Sequence, residues 1–125
     1  DKIKRVVLCS GKVYYDLINA RDEAGRDDVC VLRLEQLYPF PSTPLADDLS
    51  RFPGAEVVWC QEEPKNMGAW FHVAPWIEEV MGELNMSAGR PKYAGRRAAA
   101  SPATGLFSRH VAEQNKLVAE ALGDG

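Results

Sequence analysis

The chain is 125 residues long, 46% hydrophobic and 26% charged, with a formal net charge of −3. A length of this order suits one domain with a buried core, here residues 1–125. The slight negative balance excludes the basic face that non-specific nucleic-acid binding needs, no apolar run is long enough to span a membrane, and no signal peptide is visible.

The elements alternate along the chain. Arg5 to Cys9 (RVVLC) is a short apolar run of the kind that forms a strand covered on both faces. Ser10 and Gly11 turn the chain, and Val13, Tyr14, Leu17, Ile18 and Arg21 follow at helical spacing, with Gly25 as the stop. Val29 to Leu34 is the second strand. Leu37 to Pro41 is held extended by its two prolines, and Ser42 is placed to cap a helix carrying Leu45, Leu49 and Phe52.

Glu56 to Cys60 (EVVWC) reads as the third strand and Gln61 to Gly68 as a polar loop. A helix burying Trp70, Val73, Ile77, Val80 and Met81 comes next, and Pro75 should kink or restart it. Pro91 to Tyr93 is a weak fourth strand, and Ala94 to Gly105 is too rich in small residues to build much core. Ser108 is placed to cap a last helix with Val111, Leu117, Val118, Ala121 and Leu122 on its apolar side. Strands alternating with helices imply right-handed crossovers and a mostly parallel sheet between helix layers. Ligands and partners gather in such sheets where strands end and helices begin.

Few segments carry chemistry. Ser10-Gly11-Lys12 opens a helix after a strand, which favours an anion, but the P-loop pattern is incomplete and Val13 stands where a magnesium-holding hydroxyl belongs. No GxGxxG occurs. Cys9, Cys30 and Cys60 form no CxxC pair and read as buried thiols in a reducing cytoplasm rather than a zinc site. His72 and His110 lack partners at metal-site spacing.

Glu62 and Glu63 are adjacent carboxylates at a strand end. Neighbours in extended backbone point apart, so they serve a docking surface better than an acid–base pair. Gln61, Glu62, Glu63, Asn66 and Trp70 are therefore candidates for an interface with another domain or subunit. Trp70, Phe71, Trp76 and Met67 lie on more than one helix face, which leaves two readings open, core packing alone or core packing together with an interface. Arg96 and Arg97, beside small residues with open backbone, are candidates for gripping a phosphate or carboxylate.

Four blocks in order carry a family resemblance: LCSGKVYYDL (residues 8–17), RLEQLYPFP (33–41), WCQEEP with NMGAW (59–70), and YAGR with ASPATG (93–105). Together they resemble the C-terminal domain of the thiamine-diphosphate-dependent 2-oxoglutarate dehydrogenases, the first component of that complex. Arg97 departs from the blocks, standing where many relatives carry proline.

The resemblance implies a transketolase C-terminal-domain-like α/β fold, a three-layer sandwich with a mostly parallel sheet and room for one antiparallel edge strand. It also implies a parent oxidoreductase of the tricarboxylic acid cycle, bacterial and cytoplasmic. That enzyme decarboxylates 2-oxoglutarate with thiamine diphosphate and magnesium and passes the succinyl group to a lipoyl group on the succinyltransferase core. This chain would be its C-terminal domain. It would hold neither cofactor nor metal, be inactive alone, and pack on the preceding domains and a second subunit. In some relatives the domain helps bind the activator acetyl-CoA; that site does not carry over residue by residue, and only Arg96 lies in a matching segment. The local pattern of two arginines beside small residues makes acetyl-CoA or AMP an expected effector at Arg96 and Arg97. Without the resemblance two other readings stay open: a free-standing α/β module binding a nucleotide or acyl-CoA through the Ser10 turn and the two arginines, and an independent enzyme using Glu62 or Glu63.

Overall fold

Three valine-bearing runs and one short run around Tyr93 become the strands of a single sheet in the computed structural model, which describes residues 2–96 and 107–123, with only the backbone of residues 107–110. The strands are β1 (Arg5–Cys9), β2 (Val29–Arg33), β3 (Glu56–Pro64) and β4 (Lys92–Arg96). They alternate with helices α1 (Val13–Glu23), α2 (Ser42–Leu49), α3 (Trp70–Glu83) and α4 (Phe107–Leu122). The order across the sheet is β2-β1-β3-β4, and all three pairings are parallel. No antiparallel edge strand occurs among the described residues.

Alternate residues of each strand enter two cores, which makes the sandwich three-layered. Val7 and Cys9 of β1 join Val58 and Cys60 of β3 beneath α1 and α4, where Val13, Leu17, Leu117 and Leu122 close the layer. Val6 and Leu8 join Val57 and Trp59 beneath α2 and α3, against Leu45, Leu49, Val73, Ile77 and Met81. Cys9 and Cys60 are register partners on neighbouring strands, and both are free thiols. Burial pushes Cys9 up to about 12 and also raises Cys60, so neither is a ready nucleophile.

Several local expectations need correction. Ser42 is the first helical residue of α2 rather than its cap. Pro41 takes the cap position without a side-chain hydrogen bond, and the Leu45 N–H closes the first turn on the Pro41 carbonyl at 3.1 Å. Pro75 does not divide α3, which runs unbroken from Trp70 to Glu83. Proline frees the carbonyl four residues back, that of Phe71, and both residues lie on the exposed side where water can reach it.

Of the polar stretch expected as a loop, Gln61 to Pro64 form the second half of β3, and only Lys65 to Gly68 turn the chain. β4 supplies the partner of that half: Cys60 pairs with Ala94 and, past an irregularity, Pro64 pairs with Arg96. Ala94, placed by sequence in a core-poor stretch, is buried. α4 begins at Phe107, so Ser108 lies inside its first turn. Val111, expected on the apolar side of this helix, is 39% exposed.

At the opposite, amino-terminal edge of the sheet, Glu56 ties three strands together. One carboxylate oxygen lies 2.6 Å from the Arg5 guanidinium and the other 2.6 Å from Lys92 Nζ. The Lys92 hydrogen bond, with the charges of Arg5 and Lys92, holds Glu56 below the usual carboxylate range against a smaller opposing effect of burial. A depressed carboxylate contributes stability above its unfolded pKa and loses it as pH falls through the folded value. Glu56→Gln should therefore cost less than about 1 kcal/mol at neutral pH, since the pair is partly exposed, and should flatten the acid loss below roughly pH 4.3. Urea midpoints across the acid range check this; parallel profiles for the two proteins would remove Glu56 from the acid limb.

Candidate functional site

Where β1 and β3 lie side by side, their following helices leave to opposite faces, so the crevice outside their carboxyl ends is the switch point of the sheet. Four elements bring polar groups there. The turn after β1 supplies Lys12, aided by Gly11, whose φ of +82° favours a residue without a side chain. α1 supplies Asp16, β3 supplies Glu62, β4 ends in Arg96, and α4 supplies Glu113 and Gln114.

These groups bond to one another. Lys12 Nζ lies 2.9 Å from Glu62 Oε2. Gln114 Nε2 donates to the same oxygen at 2.8 Å and to Asp16 Oδ2 at 2.8 Å. Arg96 donates to Glu113 Oε1 at 3.0 Å, to Gln114 Oε1 at 3.3 Å, and to the Glu62 carbonyl. The Arg96 side chain is only 10% exposed and the Lys12 side chain 78% exposed. Arg96 is thus a built-in cation with several partners, and Lys12 is a surface cation leaning on Glu62. The Glu62 hydrogen bond raises the Lys12 pKa, and at such exposure solvent screens most of the pair's worth.

Behind this network stands Gln61, 3% exposed. Its Oε1 accepts from Trp59 Nε1 at 2.9 Å and from the Trp70 N–H at 3.0 Å. Its Nε2 donates to the Glu63 and Pro64 carbonyls at 3.1 and 3.0 Å. One side chain therefore joins the middle of β3, its bulged end and the start of α3. Trp70 is half-buried and packs on Tyr93 at 5.4 Å between ring centroids. The Tyr93 hydroxyl donates to the Arg96 carbonyl at 2.6 Å, and burial pushes that phenol up to about 12.

The five interface candidates thus divide. Gln61 points inward, Glu62 enters the switch-point network, Trp70 is half-buried, and Glu63 and Asn66 are exposed. Arg96 lies in the network, while Arg97 falls outside the described residues. His72 Nε2 lies 3.0 Å from the Leu37 carbonyl and its ring stacks on Tyr38. Among the described residues no group of three or more His, Cys, Asp or Glu side chains is placed to hold a metal, and no helix is long and apolar enough to cross a membrane. Sequence reading did not single out Asp16, Glu113 or Gln114, because no local pattern marks residues that meet only through the fold.

Comparison with known proteins gives a consistent result. The family model described as 2-oxoglutarate dehydrogenase C-terminal matches residues 1–122. A relative from Brucella anthropi named 2-oxoglutarate dehydrogenase E1 component is 58% identical over 123 residues, covering 98% of this chain. One from Brucella ovis with the same name is 59% identical over 122 residues. The chain spans 12% of the length of each of these relatives. Among solved structures, a split-gene transketolase described as an inactive β4 tetramer shares the fold with a TM-score of 0.62 at 18% identity, covering 97% of this chain and 38% of that one.

Proposed function

Because the chain belongs to the 2-oxoglutarate dehydrogenase C-terminal family, we propose that it is the structural and docking domain of such a dehydrogenase, packing on the preceding domains and on a second subunit. The observation that carries this reading is the family match over residues 1–122. The site agrees in character: at the switch point, where a doubly wound fold places its chemistry, the charged groups are bonded to one another rather than arrayed around a substrate.

In this reading the whole cytoplasmic enzyme decarboxylates 2-oxoglutarate and passes the succinyl group to a lipoyl group of the succinyltransferase core. Thiamine diphosphate and magnesium, held by the rest of the enzyme, supply the carbanion chemistry. The residues here set the rim against which those domains close, with Glu63 and Asn66 exposed on it and Gln61 fixing its shape. The test is direct. The isolated chain, given 2-oxoglutarate, thiamine diphosphate and magnesium, should show no decarboxylation. Turnover comparable with that of the intact enzyme would overturn the reading.

The regulatory part of the proposal is that Arg96, Arg97 and Lys12 receive the phosphates of acetyl-CoA or AMP. Two cations meet at the switch point and Glu62 bridges them, so an arriving phosphate would take over contacts that Glu62 and Glu113 now make. Charge-assisted contacts shielded from water are worth roughly 1.5–3 kcal/mol each. Arg96→Ala plus Arg97→Ala in the full-length enzyme should weaken binding at least tenfold by calorimetric titration, that is, by about 1.4 kcal/mol. Lys12→Ala, which removes only a surface cation, should weaken it less. Unchanged affinity for both ligands in both variants would make Arg96 a purely structural brace.

A further inference from the structure

Two thiols lie side by side in the core beneath α1 and α4. Cys9 of β1 and Cys60 of β3 are register partners on adjacent parallel strands, so both side chains enter the same core, and both are 0% exposed. Cys30 is separate from them, packed against the opposite core beneath α2 and α3. On its other flank Cys60 pairs with Ala94, and the rest of the shared core is aliphatic, with Val7, Val58, Leu117 and Val118. Among the described residues no group of three or more His, Cys, Asp or Glu side chains is placed to hold a metal, so the pair gains no third ligand of that kind.

Spacing decides what such a pair can do. Neighbouring strands lie about 4.8 Å apart, and in-register side chains on one face start from that separation. A disulfide brings its Cβ atoms to about 3.8 Å, so forming one here would pinch the sheet by about 1 Å. A thiolate bonds a soft metal at roughly 2.3 Å, so an ion held in line between two sulfurs wants them about 4.6 Å apart. The strand spacing therefore suits a bridging ion and not a direct sulfur–sulfur bond. The Cys9 thiol now lies 3.8 Å from the Leu32 carbonyl, a weak bond, and a turn about χ1 releases the sulfur toward Cys60.

We propose that Cys9 and Cys60 form a two-coordinate site for a soft divalent ion, of which the mercuric ion is the type. This inference is independent of the docking role proposed above. Two donors and no third select an ion that prefers linear coordination over tetrahedral zinc. The charges also fit, because two thiolates and one divalent ion sum to zero and an apolar core tolerates a neutral group. One ion makes one bond to each sulfur, each thiol gives its proton to water, and no electron moves. Burial raises both thiols and keeps them protonated at neutral pH, so hard ions such as magnesium do not displace those protons, whereas a thiol-seeking ion does. The pair is sealed under α4, so the ion enters through local opening of that helix and uptake is slow.

The experiment uses the full-length parent protein, reduced, incubated with mercuric chloride and desalted in glutathione, which strips ions held by single thiols. Elemental mass spectrometry should find that Cys9→Ala and Cys60→Ala each retain one ion fewer per subunit than the unsubstituted protein. Cys30→Ala should retain the full number. Acid digestion of the loaded, unsubstituted protein should release the Cys9 and Cys60 peptides joined through mercury, a readout that does not depend on either variant folding. Hydrogen peroxide in place of mercury should leave the two peptides separate. Equal retention by the Cys60→Ala variant, or peptides that emerge unjoined or joined to another cysteine, would overturn the proposal. So would a direct disulfide between Cys9 and Cys60, which would place the sulfurs too close for a bridging ion.

Discussion

Replacing Gln61 with leucine should lower the stability of the domain by about 4 kcal/mol, because two fully buried polar groups lose their partners at roughly 2 kcal/mol each. The two are the Trp59 indole N–H and the Pro64 carbonyl. The Trp70 N–H and the Glu63 carbonyl also lose a partner, but both sit in part-buried bonds where water can replace the amide. Leucine restores the volume and none of the bonds, so packing does not offset the loss. Urea denaturation of the two proteins measures the difference. A loss below about 1 kcal/mol would mean that a trapped water takes over the role of the amide.

Gly95→Ala should be the next most damaging single change, at about 2 kcal/mol and a fall in thermal midpoint of roughly 8 °C. A Cβ there would stand 2.6 Å from the Tyr93 hydroxyl oxygen and 2.8 Å from the Gln61 carbonyl oxygen. Neither neighbour can yield. The carbonyl is main chain of β3, and the Tyr93 hydroxyl is committed to the Arg96 carbonyl while its ring packs on Trp70. Tyr93→Phe in the alanine background should recover only part of the loss, since the backbone oxygen remains. Differential scanning calorimetry decides; a midpoint within about 2 °C of the parent would show that β4 can shift away from β3.

Both residues belong to a region that sequence reading described least well, and the reason is physical. Val6 to Cys9 and Val57 to Cys60 are apolar on both faces, so their burial is written locally and the strands are legible as such. Gln61 to Pro64 are polar or proline, yet they continue β3, because β4 arrives to pair with Pro64 through Arg96. That pairing joins residues far apart in the chain, and periodicity carries no trace of it. The site shows the same limit. Glu62, Trp70 and Arg96 were legible as residues of interest because their segments are unusual for core or loop. Their partners were not: Gln114 reaches Asp16 across 98 positions and Glu62 across 52. Tyr38 escaped notice because its prolines marked an extended link, and only the stacking on His72 shows that this link makes a surface.

The place of α4 in the fold has a consequence for synthesis. Leu117, Val118, Ala121 and Leu122 of α4 roof the face formed by Val7, Cys9, Val58, Cys60 and Ala94. While the chain emerges from the ribosome amino end first, that face has α1 over it and nothing over its β3 and β4 side. A nascent chain stalled before α4 would present a sticky half-open sheet, the kind of surface on which chaperones act and aggregates start. Closure of this face waits for α4, so a variant lacking α4 should behave as an insoluble product rather than a shortened domain.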